Sequence, residues 1–386
     1  MLKKMLLLFV LICIFFTACE KENVHKSRER WLKNGDEIVI GLAYPAEEIE
    51  EETHFLDGVS MALDEVNEKG ILGKKVTISK ADDEGTVTKA ADIAQTFSND
   101  PKISAVIGHW YSKVSNAVSD IYNRNGMVMI SPASTSADLT AKGYDYIFTM
   151  INDDLEYADT MVDYAIKENL DRVVIYYVID DYGRGLANNF EDAAFDNGID
   201  VVDRISSINN RNIDELIRKW NALDYNAIII AASMAPAEDV IRILKQAGIE
   251  VPILGATSMD KTSLITSLDI YAEDIVIPTL FNPTADRTET KDFVQKYIKT
   301  YGYLPDSWAA QGYDSIKVLC KAMEAAGSAI PDQFAKELRK TIGYQGVSGE
   351  LSCNDKGEIT TSDLYIKLVH NKEYIYTDNF ELNKNQ

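Results

Sequence analysis

Basic charge is scarce in this chain. Its 386 residues carry 39 Lys and Arg against 61 Asp and Glu, a formal net charge of -22. A surface of that sign repels phosphate backbones, so a nucleic-acid partner is not expected. Cysteine is scarcer still: there are four, none in a CxxC pair, and no zinc site is indicated. A disulfide between Cys320 and Cys353 stays open, with two separate buried thiols the simpler reading. The four histidines, His25, His54, His109 and His370, lie far apart without metal-ligand spacing. HExxH, P-loop and GxSxG patterns are all missing, so no catalytic residue, metal or cofactor is assigned. Beyond residue 18 no apolar run is long enough to span a bilayer.

What is present begins at the N-terminus. Met1-Leu2-Lys3-Lys4 is a short basic region, Met5 to Phe16 is almost wholly apolar, and Thr17-Ala18-Cys19 follows. So short an apolar run is a signal-peptide core rather than a membrane span. The stretch resembles a bacterial lipoprotein signal, with Phe16-Thr17-Ala18-Cys19 as its lipobox. That resemblance implies cleavage after Ala18 and a lipid on Cys19, where two or more acyl chains give stable anchoring. Residues 19–35 are highly charged and aperiodic and read as a tether.

From Asp36 onward short β-rich runs alternate with helical patterns. Ile38-Val39-Ile40, Val76-Thr77-Ile78, Ile103 to Ile107 and Met127 to Ile130 read as strands. Phe55 to Lys69, Val87 to Ser98 and Val114 to Asn125 read as the helices between them. The rhythm restarts after residue 150, with strands at Arg172 to Val178, Val201-Val202, Ala227 to Ala232 and Ile275 to Ile277. Repeated β-α alternation predicts α/β architecture with parallel sheets covered on both faces. Length predicts two domains. Ligands of such sheets bind beyond the carboxyl ends of the strands. The loops there include Gly108-His109-Trp110-Tyr111-Ser112 and Ser131-Pro132-Ala133-Ser134-Thr135.

Several ordered stretches carry a resemblance to the type I periplasmic binding proteins, in the branched-chain amino-acid-binding group of ABC importers. They are Asp64 to Gly73, Val106-Ile107-Gly108-His109, Ser119 to Tyr122, Ser131-Pro132-Ala133, Leu139 to Tyr144, Asp181 to Ala187, and Gln311-Gly312-Tyr313-Asp314. The resemblance covers residues 36–386. It implies two Rossmann-like lobes joined by a three-stranded hinge, with crossovers near 150–153, 277–280 and 345–349. Lobe 1 is then 36–151 plus 279–346, and lobe 2 is 152–278 plus 347–386. Three hinge strands favour a bending motion that closes the cleft. The implied function is extracytoplasmic capture of a small solute, an amino acid or related carboxylate, by a monomer that delivers it to an ABC permease. Two alternatives share the fold: a ligand-sensing receptor subunit, and a binder of an amide or polyamine.

The resemblance also assigns a pocket. Ser112, just ahead of a helix whose free N–H groups suit an anion, corresponds to the residue that holds the ligand carboxylate. Ala133 and Thr135, with Ser134 between them, correspond to the head-group loop. Asp154 corresponds to an acid facing a ligand ammonium, and Tyr182 and Tyr313 to aromatic contacts. Trp110 and Tyr111 flank the Ser112 loop as candidate walls. His109, at the pocket edge, reads as structural. The chain departs from the pattern where Thr257 stands for a glutamate that meets the ammonium and Met234 for a lobe-2 tyrosine. Asp154 or Asp260 is left to compensate. Gly85 and Tyr111 occupy the positions of a small disulfide. Glu47, Glu48, Glu50, Glu51 and Glu52 crowd the first loop, either as a solvated run or as a bias toward cationic solutes.

Overall fold

The computed structural model describes residues 24–377. Cys19 and the stretch expected to be its signal lie outside them. Lobe 1 is built on a five-stranded parallel sheet of β1 (Glu37–Tyr44), β2 (Lys75–Asp82), β3 (Ile103–Ile107), β4 (Val128–Ser131) and β5 (Ile147–Thr149), in the order β2-β1-β3-β4-β5. Register is continuous from Glu37↔Lys75 to Tyr44↔Asp82. Every residue of β3 and β4 is buried. Such unbroken apolar runs follow from a sheet packed on both faces. One apolar layer holds Ile40, Phe55 and Leu319, and the other holds Phe97, Val118 and Tyr122.

Lobe 2 repeats the plan with β6 (Arg172–Tyr177), β7 (Asp200–Ile205), β8 (Ala227–Ala231), β9 (Ile253–Gly255) and β10 (Ile275–Thr279). Three short strands follow in a sheet of their own: β11 (Tyr344–Gln345), β12 (Glu350–Cys353) and β13 (Ile359–Thr361). An antiparallel pair, β14 (Tyr365–His370) and β15 (Glu373–Thr377), completes lobe 2 in the order β15-β14-β10-β9-β8-β6-β7.

Two expectations need correction. Residues 24–34 are not a tether. Val24–Asn34 is a helix whose Arg28 and Leu32 are buried against lobe 1. Arg28 donates to the Ser98 carbonyl at 2.6 Å, and the Lys102 ammonium lies 4.8 Å over the Trp31 ring. The charge of this segment masks its contact face, made of Arg28, Trp31 and Leu32 at helical spacing. The last crossover is also later than expected. Leu351 and Ile359 belong to the lobe-1 core. Thr149 bridges to Glu358, and Asn152 donates to the Thr361 carbonyl at 2.8 Å. The chain therefore stays with lobe 1 until β13, and only β14 and β15 return to lobe 2.

Three helix starts are fixed by acids. Asp153 forms a capping box with Glu156, Asp180 accepts from the Gly183 N–H at 2.7 Å, and Asp306 accepts from Ala309 at 2.7 Å. Each carboxylate satisfies an N–H that the helix itself leaves open.

Candidate functional site

In each sheet the chain reverses its direction of travel between neighbouring strands: β1 and β3 in lobe 1, β6 and β8 in lobe 2. Crevices form at the carboxyl ends of such pairs, and here the two crevices face each other. Between them lies a cavity of about 710 Å³. Lobe 1 contributes Trp110, Tyr111, Ser112, Ala133 and Trp308 to its wall, and lobe 2 contributes Tyr182, Met234, Thr257 and Lys261.

Ser112 opens the helix Ser112–Arg124, and Tyr111 before it provides no side-chain cap. The first N–H groups of this helix are thus open to an anion, which the helix dipole also favours. The loop carrying them is held from behind by His109. Its ring is fully buried, with Nδ1 2.6 Å from Asp83 and Nε2 3.1 Å from the Tyr122 hydroxyl. Its carbonyl accepts from Ser115 at 3.0 Å and Ser131 at 2.8 Å. His109 therefore joins the loops that carry Ser112 and Ser131, which is a structural role.

Ala133 lines the cavity, while Ser134 and Thr135 lie buried beside it. The Ser134 hydroxyl has no hydrogen-bond partner among the described residues. Asp154 is buried at 5 % exposure, its N–H donating to the Thr135 carbonyl at 3.0 Å. Burial pushes its carboxyl up to about 8, the adjacent Asp153 adds to the rise, and the nearby Thr135 hydroxyl opposes it. Among the described residues no cation acts on it. The Tyr182 hydroxyl sits 3.1 Å from Thr257 Oγ1 and accepts from the Ser258 N–H at 3.3 Å. Burial raises its pKa to about 12, and Asp154 adds to the rise.

The Asp260 carboxylate already has a partner, because Lys367 pairs with it in a buried contact. Tyr313 is not a cavity residue. Its hydroxyl donates to Glu65 at 2.5 Å and its ring packs 5.0 Å from that of Phe293. It follows Trp308 by five positions on the helix Ser307–Ala326, a rotation of about 140° that sends it to another face. Trp308, which sequence reasoning missed, is the residue of this helix that reaches the cavity. Gly85 and Tyr111 are neighbours, as expected: a Cβ on Gly85 would lie 2.6 Å from the Tyr111 ring. Cys320 and Cys353 are both free thiols. Among the described residues no helix is long and apolar enough to cross a membrane.

Two α/β lobes with a cavity between the carboxyl ends of both sheets define a cleft-type solute-binding protein. The chain belongs to the periplasmic binding protein family, whose pattern it matches over residues 45–372. A Leu/Ile/Val-binding protein homolog of Brucella melitensis is 28% identical over 313 residues, 79% of this chain and 83% of the relative. An ABC transporter substrate-binding protein from Desulfitobacterium hafniense, solved in complex with Leu, is 36% identical. It has a TM-score of 0.82 over 88% of this chain and 100% of its own. A leucine-binding protein from Thermotoga maritima is 26% identical, with a TM-score of 0.79 over 88% of this chain and 97% of its own. The fold class and family expected from the sequence are those found.

Proposed function

We propose that this chain captures an amino acid outside the cytoplasm by closing its two lobes, and passes it to an ABC importer. The observation that carries this reading is an uncapped helix start on the cavity wall together with a buried acid behind the adjoining Ala133 loop. The uncapped helix start at Ser112 calls for an anion, and the buried Asp154 carboxyl beside the Thr135 hydroxyl calls for a cation. An α-amino acid supplies both charges a few ångströms apart. Ser112, Ala133 and Thr135 take the head group, Asp154 takes the ammonium, and Trp110, Tyr111, Tyr182, Met234, Thr257 and Trp308 enclose the remainder. The leucine complex of the Desulfitobacterium hafniense relative supports the solute class.

A thermal-shift panel of amino acids, amides, polyamines and small carboxylates tests this. A true ligand at 100 times its Kd adds about 2.7 kcal/mol to stability. Ser112→Ala then weakens the amino acid found by about 1–3 kcal/mol, seen as a higher Kd in calorimetry. Stabilisation by polyamines or amides with none by any amino acid overturns the reading.

Lipidation of Cys19, which lies outside the described residues, would hold the protein as a monomer at the outer face of the cell membrane. Cys19→Ser should then move it from the membrane fraction to the soluble fraction. Retention of the variant on membranes would rule the anchor out.

A further inference from the structure

The acidic run at Glu47–Glu52 is not simply solvated. It forms the helix Ala46–Glu52 at the mouth of the lobe-1 crevice. Lys261 reaches it from lobe 2 and is only 3 % exposed. Its Nζ lies 2.5 Å from Glu48 Oε1 and 2.5 Å from Glu52 Oε2. Next to it, Thr262 Oγ1 donates to the Glu52 carbonyl at 3.0 Å. The second oxygen of Glu48 accepts from the Tyr111 hydroxyl. Tyr111 immediately precedes the Ser112 helix start, so the same carboxylate touches the head-group loop of one lobe and the cation of the other.

We propose that Lys261, Glu48 and Glu52 form an inter-lobe clasp that sets how readily the cleft closes, and hence the affinity for every solute by a common factor. This rests on the reading of the chain as a binder that works by lobe closure. Three features favour a clasp over a direct solute contact. The ammonium is already satisfied by two carboxylates and has little exposed surface. Both carboxylates stand on one lobe and the ammonium on the other, so hinge opening must separate them. Removing the acids would leave closure burying an unpaired charge, which is strongly unfavourable. Open and closed populations then shift, and the apparent Kd rises by the inverse of the closed-competent fraction. Such a shift does not discriminate between side chains of the bound solute.

The test compares wild type, Glu48→Gln/Glu52→Gln, Lys261→Met and Lys261→Arg. Small-angle scattering of the ligand-free proteins reads closure directly. Calorimetry with two amino acids of different side chain reads affinity. The expected result is a larger radius of gyration for the Gln pair and for Lys261→Met. Both should lose affinity by about tenfold or more, by the same factor for both amino acids, and Lys261→Arg should stay near wild type. A loss that differs between the two amino acids would place Lys261 in solute selection, and unchanged scattering would overturn the clasp. If no amino acid binds even the wild type, the solute reading fails, while scattering still decides the clasp.

Discussion

Replacing Asp154 by Asn should make the ligand-free protein more stable at neutral pH while removing most of its affinity for amino acids. The two effects share a cause. Asp154 begins the helix Asp154–Lys167 beneath the head-group loop, where burial has raised its carboxyl to about 8. The groups facing it are the acid of Asp153, the hydroxyls of Thr135, Tyr157 and Tyr182, and the Gly185 backbone. None of them is basic. The folded state therefore holds this proton far more tightly than the unfolded chain, whose aspartates titrate near about 3.9. Stability from this group is complete below that value and is lost as pH rises toward about 8. Each unit of difference is worth about 1.4 kcal/mol, so the penalty at pH 7 amounts to several kcal/mol. Asn keeps the shape and cannot ionise, so denaturant midpoints of the variant should rise relative to wild type across pH 5–8.

Binding runs the other way. An arriving ammonium restores the charged carboxylate, so wild-type protein should release a proton on binding an amino acid below about pH 8. Its affinity should climb with pH over that range. Calorimetry in buffers of different ionisation enthalpy reads the released proton as a slope. Asp154→Asn should abolish the slope and cost about 1.5–3 kcal/mol of affinity, the worth of a charge-assisted hydrogen bond. A variant that binds as wild type does, with the slope intact, would remove Asp154 from the site.

Much of this site was legible because the chemistry sits where strands end. The turns and helix starts after β3, β4, β6, β8 and β9 carry Ser112, Ala133, Tyr182, Met234 and Thr257, and all five line the cavity. Strand ends are visible as apolar runs, and the turn that follows needs no tertiary knowledge. Residues placed by helix rotation or by the opposite lobe were harder to read. Tyr313 and Trp308 share one helix, and only its packing direction separates a core residue from a cavity wall. Glu48 and Lys261 are 213 positions apart. Nothing local in either segment announces the other, so an acidic helix reads as solvated until the second lobe is placed against it. The helix Val24–Asn34 escaped notice because Arg28 fills a contact position that an apolar residue usually marks.

Gly58→Ala should destabilise lobe 1 by about 3 kcal/mol, although alanine is the better helix former by about 1 kcal/mol. Gly58 lies inside the helix Phe55–Asn67, against the start of the helix Ser307–Ala326. A Cβ there would stand 1.9 Å from the Ala309 carbonyl oxygen and 2.7 Å from its carbon. Gly312 meets the Phe55 carbonyl in the same way, at 2.3 Å. The obstacles are backbone atoms, so no rotamer change relieves them, and the two helices must move apart. They are not free to do so. Asp306 holds the start of the second helix through the Ala309 N–H, and the Trp308 indole donates to the Asp260 carbonyl of lobe 2 at 2.5 Å. Displacing that start therefore carries a cavity wall and an inter-lobe hydrogen bond with it. Urea unfolding should show the stability loss, and calorimetry should show weaker amino-acid binding in the fraction that remains folded. Ser60→Ala, exposed on the same helix, should stay within about 0.5 kcal/mol of wild type. Equal midpoints for Gly58→Ala and Ser60→Ala would mean that the helix contact is looser than its geometry indicates.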